Sequence, residues 1–516
     1  MTATLQKAGR LYGAGDLPAA ARVCLDILRS DPHHFDALHL LGVICTNSGY
    51  RADGVSYLLR ATASRPDDVQ VQINLGHALG SVQRFEEALA AYRSAGARVS
   101  QEPALLNSIG LTLRGLRRTD EAIGCFRAAL TRDPAHHPAR FNLGRALRDA
   151  GHTVEAEAQF LWLLGHLPPD TPASRRADTV NELAQTYIDA ERPAEAVAIL
   201  RQEIERGTAA DTPRWNESLA LLVMGRFQEG WPAYEDRWRA PNGGARDPDS
   251  IVLDLDRVAG QRVLVKEEQG RGDNIQFMRY VRLLAARGAR VFLSTYADLT
   301  CLAQEMPDVE LVVSPENPDC EYDMKTSIMS LPLAFRTDFD TIPAEVPYLR
   351  TPADRIARMR RHLGPRREPR VGVVWSGSVH SRGRAAVPVR TLEPLLRRPG
   401  VEFHCLQKEL DAGDRVWLAE TGLAAIHDTA ISDFGDTAAL IDAMDLVVSI
   451  DTAVAHLAGA LAKPVWIMLA RNPDWRWLLD RDDSPWYPTA RLFRQPSRGD
   501  WDGVVRAVVA ALAFGG

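Results

Sequence analysis

The sequence predicts an all-α solenoid over its first half and an α/β region with two open parallel sheets over its second half. Three observations carry this prediction. A 34-residue periodicity runs through about the first 150 residues, strand-like and helix-like segments alternate from about residue 250, and the alternation starts afresh near residue 370. At 516 residues, the chain is long enough for two or three hydrophobic cores.

The periodicity is clearest in glycines that follow an apolar residue and recur every 34 residues, at Gly42, Gly76, Gly110 and Gly144. Between them lie segments such as "RFEEALAAYRSA", in which apolar residues recur at helical spacing. A first unit is expected near Gly9, and roughly six or seven helix pairs are expected in all. Such pairs stack into a curved solenoid whose concave face commonly binds a partner.

This unit resembles the tetratricopeptide repeat (TPR), with a small residue in the first helix, an Ala- and Leu-rich second helix and a terminal proline. The resemblance implies a solenoid that binds a protein, and the alternative is a spacer or a dimerisation arm. The phase breaks at "GHLPPDTPASRRAD" and resumes in looser units that end in "GRFQEGWPAYEDRW". We predict repeats over residues 1–205, with a degenerate repeat and linker helices over residues 206–248.

The second half alternates between strand and helix. "QRVLVKEEQ", "ARVFLSTY" and "DVELVVS" read as strands, and "NIQFMRYVRLLAARG" reads as a helix between the first two. A new series begins at "VGVVWSGS" and continues through "VEFHCLQ", "AAIHDTA", "LVVSI" and "PVWIML". Such alternation indicates parallel sheets, so we predict two Rossmann-like domains, over residues 249–364 and 365–516, with a cleft between them.

Composition narrows the class of protein. The net charge of −6 argues against a general nucleic-acid binder. The six cysteines are scattered without a C-x-x-C pair, which favours a reducing compartment and no zinc or disulfide framework. We find no secretory signal at the N-terminus and no apolar stretch of about 18 residues. We therefore expect a cytoplasmic protein with no membrane span.

Ligands of open α/β sheets bind beyond the carboxyl ends of the strands. The first such end is "EEQGRGDNIQF", where Gly270 and Gly272 permit a tight turn and close backbone approach. Asp273 and Asn274 can cap the following helix, and on spacing alone a cap is the simpler role for Asp273. The segment is not a G-x-G-x-x-G fingerprint, so we infer no dinucleotide cofactor.

Two further strand ends are polar. "WSGSVHSRGRAAVP" contains Ser376 and Gly377 and is either a diphosphate-binding loop or a solvated loop. "HCLQKELDAGD" places Gln407 and Lys408 at the end of its strand, where the lysine is either a point charge for phosphate or a surface residue.

The fourth strand end is "SIDTAVAHLAGA", in which a buried strand runs into Asp451 and Thr452 and a short helix follows. Thr452 and His456 are four residues apart, so they share one face of that helix. The free N–H groups and the positive dipole end at Ala453 form an anion site that suits a nucleotide diphosphate. The alternatives are that Asp451 or Thr452 caps the helix and that His456 is a core histidine.

"DTAVAHLAGALAKPVW" and the following "NPDWRWLLDRDDSPWYPTARLFRQP" resemble the C-terminal part of GT-B glycosyltransferases related to the heptosyltransferases. In that family a D-T-x-x-x-H-L-A-x-A motif binds the donor nucleotide diphosphate. "QGRGDNIQFMRY" resembles the first βα turn of the family, whose aspartate is the proposed general base. "LQK" resembles a strand end whose lysine meets the diphosphate, whereas the loop after Trp375 departs from the family by lacking an Asn-Pro and an Arg-Ser-x-Pro.

Repeats before a GT-B unit are similar in layout to O-GlcNAc transferase and to bacterial flagellin glycosyltransferases. The resemblance implies metal-independent transfer of a sugar, in the flagellin case a nonulosonic acid, from a nucleotide sugar to Ser or Thr of a protein. No cofactor beyond the donor is implied, and the alternatives are a catalytically decayed adaptor or chaperone scaffold and an envelope-glycan transferase. The implied catalytic residues are Asp273, His456 and Lys408. The implied donor-binding residues are Gly270, Gly272, Asn274, Ser376, Gly377, Gln407, Asp451, Thr452 and Ala453.

Overall fold

A computed structural model of the chain divides it into two compact units, Met1–Ala190 and Glu191–Gly516. The structure describes residues 2–96, 102–168, 170–207, 211–239, 249–315, 320–377 and 386–512. The predicted order, a helical solenoid followed by parallel sheets, is confirmed.

The first unit is helical throughout its described residues, and its successive helices pack in pairs. The helices are α1 (Thr2–Gly13), α2 (Leu17–Ser30), α3 (Phe35–Asn47), α4 (Arg51–Ser64), α5 (Val69–Ser81), α6 (Phe85–Gly96), α7 (Pro103–Gly115), α8 (Thr119–Arg132), α9 (His137–Asp149), α10 (Thr153–His166) and α11 (Ala173–Asp189). Side chains cap several helix N-termini, and His34 and His136 do so through Nδ1 for α3 and α9.

The 34-residue spacing records one contact that is repeated along the solenoid. Each periodic glycine faces a bulky side chain sixteen residues later in the partner helix. The pairs are Gly42 with Leu58, Gly76 with Tyr92, Gly110 with Phe126 and Gly144 with Phe160. A methyl group on any of these glycines would lie 2.5–2.6 Å from its neighbour, so glycine permits the close approach. Gly9 has no such neighbour within 4 Å, so the first helix pair, α1 and α2, lacks this contact.

Replacing Gly110 by alanine is expected to lower the free energy of unfolding of the first unit by about 1–3 kcal/mol, because the methyl group would overpack the buried Phe126 ring. Gly124 on α8 provides the matched control, since it is exposed and a methyl group there would have no neighbour within 4 Å. Gly124→Ala should be neutral or stabilising by up to about 1 kcal/mol. Urea unfolding followed by far-UV circular dichroism measures both, and equal effects would contradict the packing explanation.

The second unit begins with helices α12 (Pro193–Glu205), α13 (Asp211–Val223) and α14 (Phe227–Tyr234). Its first sheet is parallel with strand order β3-β2-β1-β4 and contains β1 (Arg262–Lys266), β2 (Arg290–Ser294), β3 (Val309–Val313) and β4 (Met324–Ser327). Its second sheet is parallel with order β10-β9-β8-β5-β6-β7 and contains β5 (Arg370–Val374), β6 (Glu402–Cys405), β7 (Ala425–Ile426), β8 (Leu446–Ile450), β9 (Val465–Leu469) and β10 (Ala490–Arg494).

Helices connect and flank these strands. They are α15 (Arg271–Phe277), α16 (Val281–Ala286), α17 (Thr300–Gln304), α18 (Leu331–Ala334), α19 (Ala353–Leu363), α20 (Glu393–Leu396), α21 (Ala412–Thr421), α22 (Phe434–Asp442), α23 (Ala453–Ala460) and α24 (Trp501–Ala511). The single helix predicted after β1 is wrong, because a 3-10 turn at Met278–Tyr280 separates α15 from α16. The strand predicted over "AAIHDTA" is only two residues long, and a 3-10 turn follows it at Asp428–Ala430.

One cluster of buried apolar side chains joins both sheets of the second unit. It includes Val263 of β1 and Val447 of β8, together with Phe227 and Trp231 of α14. The domain boundaries at 205, 248 and 364 stay predictions, but this cluster crosses the last two of them. The two halves and the α13–α14 pair therefore share a core.

Candidate active site

An open pocket of about 200 Å³ lies beyond the carboxyl ends of β1 and β8, where α15 packs against α23. Its lining residues come from both halves of the second unit and are Gly272, Asp273, Asp451, Thr452, Ala453, His456, Asp474 and Arg476. Six of these eight residues are among the site residues predicted from the sequence. Asp474 and Arg476 were missed.

The turn after β1 aims Asp273 at this pocket. Asp273 Oδ2 accepts a hydrogen bond of 2.7 Å from the Gly270 N–H, so Asp273 does help to cap α15. The Asn274 side chain donates to the carbonyl oxygens of Glu268 and Gly270, at 2.9 and 2.7 Å, and so fixes the turn from inside. In this turn after β1, the residue with a positive φ is Gln269, at 61°, and neither Gly270 nor Gly272.

Gly272 permits a close approach between α15 and α23, a contact that the sequence did not predict. A methyl group at Gly272 would lie 2.9 Å from His456 Cδ2 and 3.5 Å from Ala453 Cα. The first turn of α15 therefore lies directly against the first turns of α23. This contact brings Asp273 and His456 to the same pocket.

Arg476 links the carboxylate of Asp273 to the second half. Its guanidinium donates to Asp273 Oδ1, to Asp474 Oδ1 at 2.7 Å and to Gln276 Oε1 at 2.7 Å. Burial alone would lower the pKa of Arg476, but the charges of Asp474 and Asp273 raise it above its usual value. Arg476 is therefore a fixed positive charge in a pocket that otherwise contains three carboxylates.

The N-terminus of α23 has no side-chain cap. Thr452 occupies the cap position with extended backbone and makes no capping hydrogen bond; its Oγ1 lies 3.1 Å from Ser449 Oγ instead. By contrast, Asp433 caps α22 and Asp500 caps α24. The Thr452 capping alternative for "SIDTAVAHLAGA" is therefore wrong, and Ala453, the first residue of α23, lines the pocket.

His456 is buried, with 5% of its surface exposed, yet one edge lines the pocket. Its Nδ1 lies 2.9 Å from the Tyr487 hydroxyl, and its Nε2 lies 3.6 Å from Asp451 Oδ1. Burial would raise the pKa of Asp451, but the neighbouring imidazole lowers it below its usual value. His456 is therefore buried, as the core-histidine alternative expects, and it also lines the pocket.

The ends of β5 and β6 lie outside the lining of this pocket. Gln407 Oε1 accepts from the N–H groups of Trp375 and Ser376, at 2.8 and 3.1 Å, and its Nε2 donates to Ser376 Oγ at 2.9 Å. Gln407 thus holds the turn before Gly377. Lys408 Nζ donates to the Ser432 carbonyl oxygen.

Lys408 nevertheless shares a sheet edge with Thr452. Strand β5 lies between β6 and β8, and strands are spaced about 4.8 Å apart, so the two strand ends are about 10 Å from each other. The predicted diphosphate loop continues after Gly377 with Ser378, His380, Arg382 and Arg384, which lie outside the described residues.

Three side chains hold the loop that precedes Asp273, one at the end of α14, one just after that helix and one after β2. Arg237, 3% exposed, donates to both carboxylate oxygens of Glu268 at 2.7 and 2.8 Å. Gln269 Nε2 donates to the Tyr234 hydroxyl at 2.9 Å, and the Tyr296 hydroxyl donates to Gln269 O at 2.6 Å. The segment "GRFQEGWPAYEDRW" is therefore part of the structure that positions Asp273.

A chain of three histidines lies in the second half, outside the pocket lining. His427 contacts His362 through Nδ1 at 3.0 Å and His404 through Nε2 at 2.9 Å. Burial lowers the pKa values of His404 and His427 to about 4. In the unfolded chain these histidines regain their usual pKa of 6.5, so below that pH the unfolded chain binds more protons than the folded protein. The free energy of unfolding should therefore fall as the pH drops from about 6.5 towards 4.

His427→Gln should flatten this pH dependence, because it removes one buried imidazole. Urea unfolding at pH 7.5 and pH 5 measures the difference. Tryptophan fluorescence reports mainly on the second unit, since 10 of the 11 tryptophans follow residue 190 and only Trp162 precedes it. An unchanged pH dependence in His427→Gln would contradict the prediction.

Among the described residues, no group of three or more His, Cys, Asp or Glu side chains is arranged to hold a metal ion. None of the helices in the described part of the chain is both long and apolar enough to cross a membrane.

Residues 107–169 match the tetratricopeptide repeat family, and residues 431–470 match glycosyltransferase family 9 (heptosyltransferase). The second match contains Asp451, Thr452 and His456. The chain thus has one segment that matches tetratricopeptide repeats, in its helical unit, and one that matches glycosyltransferase family 9, at the pocket of its α/β unit.

The chain is similar to Protein FlbA of Caulobacter vibrioides, with 29% identity over 323 residues that cover 57% of this chain and 53% of that protein. It therefore spans about half the length of this curated relative. A tetratricopeptide repeat protein from Parabacteroides merdae is 18% identical with a TM-score of 0.41, covering 48% of this chain and 94% of that chain. MamA from Desulfovibrio magneticus RS-1 is 17% identical with a TM-score of 0.31, covering 32% of this chain and 93% of that chain.

Proposed function

We propose that this chain is a cytoplasmic, metal-independent glycosyltransferase of the GT-B type that transfers a sugar from a nucleotide sugar to Ser or Thr of a protein. The observation that carries the proposal is the uncapped N-terminus of α23, which opens into a pocket whose opposite wall holds Asp273. The glycosyltransferase family 9 match over residues 431–470 supports it.

The donor side of the reaction needs positive charge at the leaving phosphate. The free amides at Ala453, the dipole of α23 and the Thr452 hydroxyl supply donors there, and His456 Nε2 faces the same pocket. Lys408 adds a point charge from the end of β6. Such preorganised donors stabilise charge that develops on the leaving group, and each is typically worth about 10²–10³ in rate.

The acceptor side needs a base. Asp273 uses one oxygen for the Gly270 N–H and the other for Arg476, but a carboxylate oxygen accepts more than one hydrogen bond. The acceptor hydroxyl oxygen attacks the anomeric carbon and gives its proton to Asp273. The bond from that carbon to the phosphate oxygen breaks, and its electron pair leaves with the nucleotide.

The layout supports a protein acceptor, since helical repeats commonly bind proteins. The resemblance to flagellin glycosyltransferases supports flagellin as that acceptor and a nonulosonic acid as the sugar. The carboxylate of such a sugar would be repelled by Asp273, Asp451 and Asp474. It is therefore expected to lie towards Lys408 at the end of β6.

Thermal unfolding of the full chain with a panel of nucleoside mono- and diphosphates tests the donor site. At least one nucleotide should raise the melting temperature, because it binds the folded protein alone. If no nucleotide does so, the pocket is not a donor site, and a decayed adaptor or scaffold becomes the better interpretation. Incubation with the matching nucleotide sugar and either a protein or a glycan acceptor then separates a protein transferase from an envelope-glycan transferase.

A further inference from the structure

We propose that Tyr487 is a positioning residue that keeps the proton of the His456 ring on Nε2, so that His456 donates a hydrogen bond into the pocket. The inference deepens the proposed function and rests on it for its catalytic meaning. Its structural content, the tautomer of one histidine, is independent of whether any sugar is transferred.

The His456 ring is held on three sides. Its Nδ1 lies 2.9 Å from the Tyr487 hydroxyl, its face stacks on Trp477 with centroids 5.3 Å apart and planes at 23°, and its Cδ2 edge meets Gly272. Tyr487 is itself fixed, because Gly459 lets α23 lie directly against its ring. Nε2 is therefore the ring nitrogen directed at Asp451 and the pocket.

The direction of the proton follows from the neighbouring hydroxyl. Tyr348 donates its own proton to the Ile275 carbonyl oxygen at 3.0 Å and accepts from Arg279 Nη2 at 3.2 Å. The distance between the two tyrosine hydroxyls is 3.5 Å, longer than the 2.9 Å from Tyr487 to His456. The Tyr487 O–H therefore points at Nδ1, which accepts, and the ring carries its proton on Nε2.

Arg279 favours donation of the Tyr487 hydroxyl proton to His456 Nδ1. It is fully buried, and its hydrogen bonds in the described part of the chain go to carbonyl oxygens and to the hydroxyls of Tyr348 and Tyr487, with no carboxylate among them. Its guanidinium carbon lies 4.7 Å from the centroid of the Tyr487 ring. A fixed positive charge beside a phenol strengthens the phenol as a hydrogen-bond donor.

The consequence for transfer concerns the leaving group. With Nε2–H directed at the pocket, His456 can donate to a phosphate oxygen as negative charge develops there. A ring with the proton on Nδ1 would instead present a lone pair to that oxygen and repel it. Tyr487 never touches the substrate in this scheme and acts through His456 alone.

The test is ¹⁵N NMR of histidine-labelled full chain, with the His456 signals assigned by their loss in His456→Gln. Wild-type His456 should show a protonated Nε2 and an accepting Nδ1. Tyr487→Phe keeps the ring and removes the hydroxyl, and it should give a mixture of tautomers. Tyr348→Phe makes the same change one step further away and should keep the wild-type tautomer.

In transfer assays Tyr487→Phe should lower kcat by about tenfold, the value of one lost hydrogen bond, with the donor KM within about twofold of wild type. Protonation of Nδ1 in the wild type, or an unchanged tautomer in Tyr487→Phe, would overturn the inference. The wild-type spectrum decides the first point even if a variant fails to fold. Absence of turnover in the wild type would overturn the proposed function and leave the tautomer result standing.

Discussion

Replacing Thr452 by aspartate is expected to abolish nucleotide binding while leaving the second unit folded. Thr452 stands at the cap position of α23 without capping it. An aspartate there would accept hydrogen bonds from the first amides, which typically stabilises a helix by about 0.5–2 kcal/mol, and this gain offsets its repulsion by the carboxylates that line the pocket. The same carboxylate would occupy the amides that a phosphate needs and repel the phosphate, so the nucleotide affinity should fall by at least about 100-fold.

Thr452→Ser is the matched control, because it keeps the hydroxyl and adds no charge. It should bind nucleotide within a few-fold of wild type. Calorimetric titration gives the affinities, and thermal unfolding without nucleotide gives the stabilities. Wild-type affinity in Thr452→Asp would show that the N-terminus of α23 does not hold the phosphate, and a retained unfolding transition would show that a loss of affinity is not a loss of the fold.

Removing residues before 249 is expected to prevent the second unit from folding, although residues 191–516 should fold alone. The predicted transferase domain begins at 249, but Phe227, Trp231 and Tyr234 belong to its hydrophobic cluster and are buried. Their loss would expose several large apolar side chains, each worth about 1.5–3 kcal/mol when buried. It would also leave Glu268 without Arg237, and breaking a buried ion pair in this way typically costs about 3–5 kcal/mol.

Near-UV circular dichroism and thermal unfolding of the 249–516 and 191–516 fragments measure this difference. The longer fragment corresponds to the second compact unit and controls for the loss of the first. A cooperative transition in 249–516 at the temperature seen for 191–516 would contradict the shared core. The point variant Arg237→Ala should be less severe and should destabilise the fragment without unfolding it.

The parts of the fold that the sequence predicted are those in which a local pattern repeats. Gly42 and its counterparts mark the repeats because the same close contact recurs every 34 residues. Asp273 and Thr452 were found because parallel strands end at one edge of a sheet. The glycine repeat and the polar residues at strand ends are both patterns within a short stretch of chain. Each pattern predicts a helix or strand and also where that element lies in the fold.

The residues that the sequence did not reveal act across long separations. Arg476 lies 203 positions from Asp273, and no spacing rule connects a turn after β9 to a turn after β1. The break at Met278–Tyr280 was also missed, since the apolar pattern there is helical while Arg279 is fully buried. Strands β4 and β10 were not predicted because short segments such as "MKTS" carry little apolar pattern.

The most direct test of the central claim is the intact mass of flagellin from cells that contain this chain, compared with cells that carry its His456→Ala variant. If the chain transfers a sugar to flagellin through the pocket at α23, flagellin from the first cells should be heavier by whole sugar residues. Flagellin from the variant cells should have its unmodified mass. Equal masses in both would contradict the claim.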